Sequence, residues 1–185
     1  METYQLTPHP QLLPIEVSAV EARVLALDPH WLTLRWKVEG TAKLVLPKFA
    51  GRGRADGLWR STCFELFVRS GQGDGYAEFN LSPSERWAAY DFAGYRAGMA
   101  ERPAPRDPVC TLRGGRAVLI FDAAIPVAAL PPLPWHYGLS AVIEEEGDIK
   151  SYWAIVHPAG TPDFPGPDFH SPSCFAAHLA APDPT

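Results

Sequence analysis

Several things this chain has little of narrow what it can be. It has three cysteines, Cys63, Cys110 and Cys174, far apart and without a CxxC spacing. Neither a disulfide framework nor a zinc site is indicated, and small buried thiols in a reducing compartment are expected. No segment approaches the roughly 20 consecutive apolar residues that a membrane span requires. The opening METYQLTPHPQLLPIE lacks the basic stretch and apolar run of a secretory signal, so the cytoplasm is the expected location. Positive charge is sparse: 16 Lys and Arg stand against 21 Asp and Glu, a net charge of -5. Arg52, Arg54 and Arg60 are scattered among glycines rather than aligned, so neither nucleic acid nor membrane is an expected partner. The GxSxG elbow, the HExxH pair and the dinucleotide glycine fingerprint are absent, and GRGRADG lacks the Lys-Ser/Thr end of a phosphate loop. These absences weigh against an enzyme. Oligomeric state leaves no sequence signal.

Proline and glycine, by contrast, are plentiful, at 20 and 15 of 185 residues. Proline removes a backbone donor and clashes with the preceding helical turn, so long helices have little room. Residues 19–27 and 31–38 alternate apolar and polar around Asp28-Pro29-His30, the pattern of a hairpin with one apolar face. Further strands are expected near 43–46, 63–69, 76–81, 87–92, 109–112, 116–122, 137–143, 149–156 and 175–179, with a long loop over 94–108. About nine or ten strands separated by turn signals, with 46% hydrophobic and 20% charged residues, predict one all-β domain, an antiparallel β-sandwich or jelly roll.

The stretch Leu58–Phe92 carries the oddly placed polar residues. Phe64, Leu66 and Val68 fall on one face of a strand and Cys63, Glu65 and Phe67 on the other. After the glycine loop, Ala77, Phe79 and Leu81 oppose Tyr76, Glu78 and Asn80. A register symmetric about that loop pairs Phe67 with Glu78 and Glu65 with Asn80, gathering two carboxylates and an amide on one face. Such a face is either solvated sheet or a site. Paired glutamates can in principle act as general acid and base, as in glycoside processing. His157, Asp163, Asp168 and His170 form a second polar group of metal-ligating types, although no ligand spacing is matched and a turn-forming loop explains them as well. Four of the six tryptophans are expected in the core. Two flanking a polar face could stack on a sugar ring.

The runs LWRSTCFELFV, YAEFNLSPSERWAAYDF, LSAVIEE and SYWAIVHP, followed by PDFHSPSCF, resemble the DOMON-like domains related to family-nine carbohydrate-binding modules. The resemblance covers residues 15–180, leaving 1–14 as an N-terminal extension and 181–185 as a tail. It implies a β-sandwich of jelly-roll or immunoglobulin-like arrangement that binds a small carbohydrate or related polyol without catalysis. Family-nine modules hold a terminal sugar between two tryptophans, with a glutamate shortly after the first. Trp59 and Glu65 match that spacing, Trp153 is the candidate second tryptophan, and Glu78, Asn80, Arg86 and His157 complete the expected ligand-binding set. Other DOMON domains bind haem through a methionine and a histidine, for which Met99 and His157 are the residues present. Haem or a metal ion is therefore the alternative to a site with no cofactor.

Overall fold

The computed structural model describes residues 2–71, 73–158 and 168–181. Among them are fourteen strands: β1 (Thr3–Pro8), β2 (Ala19–Leu27), β3 (Trp31–Glu39), β4 (Leu44–Val45), β5 (Gly53–Arg54), β6 (Cys63–Ser70), β7 (Tyr76–Leu81), β8 (Arg86–Phe92), β9 (Ala100–Glu101), β10 (Val109–Gly114), β11 (Val118–Pro126), β12 (Trp135–Glu145), β13 (Ile149–Ala154) and β14 (Ala177–Leu179). The described helical content is three 3-10 turns, at Leu58–Arg60, Val127–Ala129 and Pro172–Cys174. None is long and apolar enough to cross a membrane.

One sheet has the strand order β10-β11-β3-β2-β1 and the other β13-β12-β6-β7-β8; the short strands β4 and β14 pair with β12 and β5 and β9 with β8, all in the second sheet. β1 joins the two at a corner. Its Thr3–Leu6 pairs with β2, and Thr7 and Pro8 pair with Ala154 and Trp153 of β13. The first fourteen residues, which the resemblance leaves as an N-terminal extension, thus supply a sheet strand. The two inner faces form one core in which Phe64 stacks on Phe121 at 4.4 Å and Trp36 packs on Phe64 at 5.5 Å. Each such ring contributes roughly 1.5–3 kcal/mol by leaving water. This is the β-sandwich that the turn spacing predicts.

Burial differs along the two sheets in a way that locates the site. β3 alternates throughout, and β11 as far as Ile125, between buried and half-exposed residues, as expected of a sheet with water on one side. In β7 every residue is buried, and in β6 the first six are. The second sheet is therefore covered on both faces. Phe64, Leu66, Val68, Ala77, Phe79 and Leu81 enter the inter-sheet core, while Phe67, Tyr76, Ala88, Tyr90, Phe92, Val142 and Ala154 form a second cluster on the outer face.

Candidate ligand-binding site

The outer face of the second sheet is a grid set by hydrogen-bonded registers. Across one row run Ala154, Ser140, Glu65, Asn80 and Ala88, and across the next Gly138, Phe67, Glu78 and Tyr90. Glu65 lies opposite Asn80 and Phe67 opposite Glu78, the pairing that the hairpin's symmetry predicts. Small residues at the ends of the first row keep its centre low, and Phe67, Tyr76 and Phe92 build up one side. Tyr76 and Phe92 stack at 4.8 Å with planes 9° apart.

Three loops cover this floor. The turn Leu58–Arg60 lies against β6, β7 and β8, with Leu58 packed on the aromatic cluster and Trp59 37% exposed at the margin. Phe169, His170 and Phe175 close in from the far side, with His170 5.1 Å from the Phe67 ring. Gly138 permits that approach, because a Cβ there would meet the Cys174 carbonyl oxygen at 2.4 Å. Arg96 donates its backbone N–H to the Tyr76 hydroxyl at 3.3 Å, while Asp168 accepts from the Tyr95 hydroxyl and from Arg96 Nε.

Under this roof Glu65 is 3% exposed, Glu78 6% and Asn80 0%. Ser140 Oγ donates to Glu65 Oε2 at 2.9 Å, and Asn80 Nδ2 donates to Glu78 Oε1 at 2.7 Å. Asn80 Oδ1 is buried and has no hydrogen-bond partner among the described residues. An orphaned amide oxygen costs about 1–3 kcal/mol. Burial, and secondarily the Glu78 charge, pushes the Glu65 carboxyl up to about 8. Burial likewise lifts Glu78 to about 7, opposed by the Asn80 hydrogen bond and by Arg96. His170 Nε2 stands 3.8 Å from Glu78 Oε2, with its Nδ1 2.7 Å from the Tyr76 hydroxyl. Tyr90 donates to Asp56 at 2.5 Å beside them.

Glu145 shows what a satisfied buried carboxylate looks like in the same protein. It is equally buried, but accepts from the backbone N–H groups of Ile15, Glu16 and Val17 at 2.8, 2.7 and 3.1 Å. Its task is to hold the chain between β1 and β2. Among the described residues Glu65 has a single hydroxyl donor by comparison.

Of the residues expected at the site, Glu65, Glu78 and Asn80 come together and Trp59 stands at their margin. Trp153 does not join them. It is paired with Ala141, points into the inter-sheet core at 3% exposure, and donates its indole N–H to Ser151 Oγ. Its neighbours Tyr152 and Ala154 face outward instead, and Tyr152 packs on the outer cluster, where burial and secondarily the Glu65 charge raise its hydroxyl's pKa. Arg86 donates to the Ala50 carbonyl at 2.7 Å, anchoring the loop before β5. His157 bonds the Thr7 carbonyl through Nε2 at 2.8 Å and packs edge-on to His9 at 5.1 Å, at the β1 corner. Met99 precedes β9, which flanks β8, whereas His157 follows β13. Four strand spacings, on the order of 19 Å, separate those ends of the sheet, so this pair does not assemble around one haem iron. Asp163 lies outside the described residues. Among the described residues no three His, Cys, Asp or Glu side chains converge as a metal site. The three cysteines are buried and unbridged.

Tyr152, Ser140, Tyr90 and Asp56 are the site's members that sequence reasoning passed over. Ser140 had a signal, being a lone hydroxyl in the apolar run LSAVI. Tyr152 had none, since SYWAIV is apolar in both phases of a strand.

No family model matches the chain, nor does any curated protein. Among solved structures, one from Bacteroides uniformis, provisionally described as a carbohydrate-binding protein, is 18% identical with a TM-score of 0.59, covering 94% of this chain and 83% of its own. A family-nine carbohydrate-binding module from Caldicellulosiruptor kristjanssonii in complex with glucose aligns at 9% identity and TM-score 0.47, over 80% of this chain and 71% of that one. In complex with cellotriose it aligns at 10% identity and TM-score 0.48, over 85% and 75%. The likeness to the Bacteroides protein is one of fold, and it agrees with the β-sandwich described above.

Proposed function

We propose that the outer face of the second sheet binds a small carbohydrate or related polyol, as a DOMON-like module would, and does so without catalysis. The observation that carries this reading is the buried, under-partnered group Glu65, Asn80 and Glu78, with an orphaned Asn80 Oδ1 and aromatic rings around it. Hydroxyl groups suit such a floor, because each can donate to a carboxylate or amide oxygen while apolar ring faces lie against aromatic side chains. The provisional carbohydrate assignment of the Bacteroides uniformis protein of similar fold supports the same reading. In this proposal Glu65, Glu78 and Asn80 recognise hydroxyls, Trp59 stacks at the margin, and Tyr152 takes the place expected of Trp153. Arg86 and His157 are engaged elsewhere and serve the scaffold.

Calorimetry against a panel of mono- and disaccharides tests it. At least one sugar is expected to bind and to be recovered chemically unchanged. Trp59→Ala should weaken that binding by about 1–3 kcal/mol, as loss of a stacking ring does. No heat with any sugar overturns the proposal.

A further inference from the structure

We infer that the preferred ligand is an amino sugar whose ammonium group is received by Glu65 and Asn80 Oδ1; this rests on the carbohydrate reading above and narrows it. Glu65 and Asn80 are direct cross-strand partners on a face shut off from water. Asn80 has committed its Nδ2 to Glu78, which leaves its oxygen as the available group. Among the described residues Glu65 has one donor, Ser140. Once Glu65 is ionised, the pair thus offers acceptors and little else. A hydroxyl brings one proton to such a place, whereas an ammonium brings three and a charge, and hydrogen bonds to charged groups are roughly twice as strong.

The charges nearby point the same way. Glu78 has the Arg96 cation to answer it, itself paired with Asp168 at 3.4 Å, and the His170 ring stands 3.8 Å away. None of the groups acting on Glu65 among the described residues is a cation; Glu78 adds repulsion and Ser140 a neutral donor. Asp56 and Tyr90, further along the face, add no positive charge. An uncompensated buried carboxyl holds its proton near neutral pH, as the raised pKa of Glu65 shows. When an ammonium binds, Glu65 gives that proton to solvent and a carboxylate–ammonium pair forms. A neutral sugar would leave the proton in place.

The test is a set of matched pairs, glucose with glucosamine, galactose with galactosamine and mannose with mannosamine. Each is titrated at pH 7 into the whole protein in two buffers of different ionisation enthalpy. In at least one pair the amino member is expected to bind about tenfold or more tightly and to release protons, seen as a heat that changes with the buffer. In Glu65→Gln the preference should shrink to about threefold or less, and proton release should fall to the smaller amount that Glu78 supplies. The wild-type buffer comparison stands by itself should that variant not fold. Equal or tighter binding of the neutral members, or tight amino-sugar binding without proton release, overturns this inference and leaves the carbohydrate reading intact. Binding by none of the six sugars, nor by any disaccharide, overturns both.

Discussion

The outer faces of the two sheets present similar charged and polar residue types to opposite ends. On the first sheet Arg35 grips Asp122 through two hydrogen bonds of 2.6 and 2.8 Å, Arg113 joins the same carboxylate, and Lys37 pairs with Glu39, all partly in water. These charges are paired with ones of opposite sign, and the strands beneath alternate. On the second sheet Glu65 and Glu78 lie under loops, share a neutral serine and asparagine as their nearest donors, and leave an amide oxygen without a partner. Buried polar groups are normally satisfied; among the described residues Trp36, Trp87, Arg69 and His157 each also bury a ring or guanidinium nitrogen without a partner, but Asn80 Oδ1 is the one oxygen so left, and it lies beside two buried carboxyls. The exposed face pairs its charges in place, whereas the covered face keeps an acceptor unfilled.

The contrast can be broken most directly at β13. Trp153→Ala removes a core ring and should cost about 3–5 kcal/mol of stability in denaturant unfolding, with sugar affinity of the folded fraction little changed. Tyr152→Ala, one residue away on the outer face, should do the reverse, costing about 1–3 kcal/mol in sugar binding with a smaller loss of stability. Matching effects from the two substitutions would contradict the assignment of faces.

A second effect concerns pH. Glu65 and Glu78 titrate near 8 and 7 in the folded protein, against about 4.5 when unfolded. Between those values the native state binds more protons, so their contribution is full below the unfolded pKa and is lost as pH rises through the folded ones. Urea unfolding without ligand should therefore show stability falling by several kcal/mol, on the order of 6, between pH 5 and 8.5, and Glu65→Gln should flatten more than half of that slope. Burial holds His9 and His157 down, which gives an opposite slope at lower pH. Both histidines are present in each protein, so the difference between the two curves isolates the carboxyls. The smallest effect belongs to the exposed face: Asp122→Asn should change stability by about 1 kcal/mol or less and leave sugar binding alone.

Much of the covered face was legible beforehand. Alternation in CFELFV and YAEFNL sorts residues between faces, and a turn between adjacent strands sets their register, so Glu65 opposite Asn80 follows from local rules. Burial of that face was not legible, because the segments covering it, Leu58–Arg60 and Phe169–Phe175, are irregular and distant in sequence. Nor was the phase of β13. Tyr152, Trp153 and Ala154 are all apolar enough to face either way, and only the register of β12 on β13, Ala141 against Trp153, turns the tryptophan inward.

By itself, then, the sequence determined the sandwich, the hairpins and the gathering of two glutamates with an asparagine, since these depend on period-two alternation and turn chemistry acting over a few residues. The tertiary structure alone decided that this gathering is shut away from water, that Tyr152 rather than Trp153 stands beside it, and that Arg86 and His157 are engaged elsewhere. Those outcomes depend on contacts between strands and loops far apart in the chain, where no local periodicity reaches.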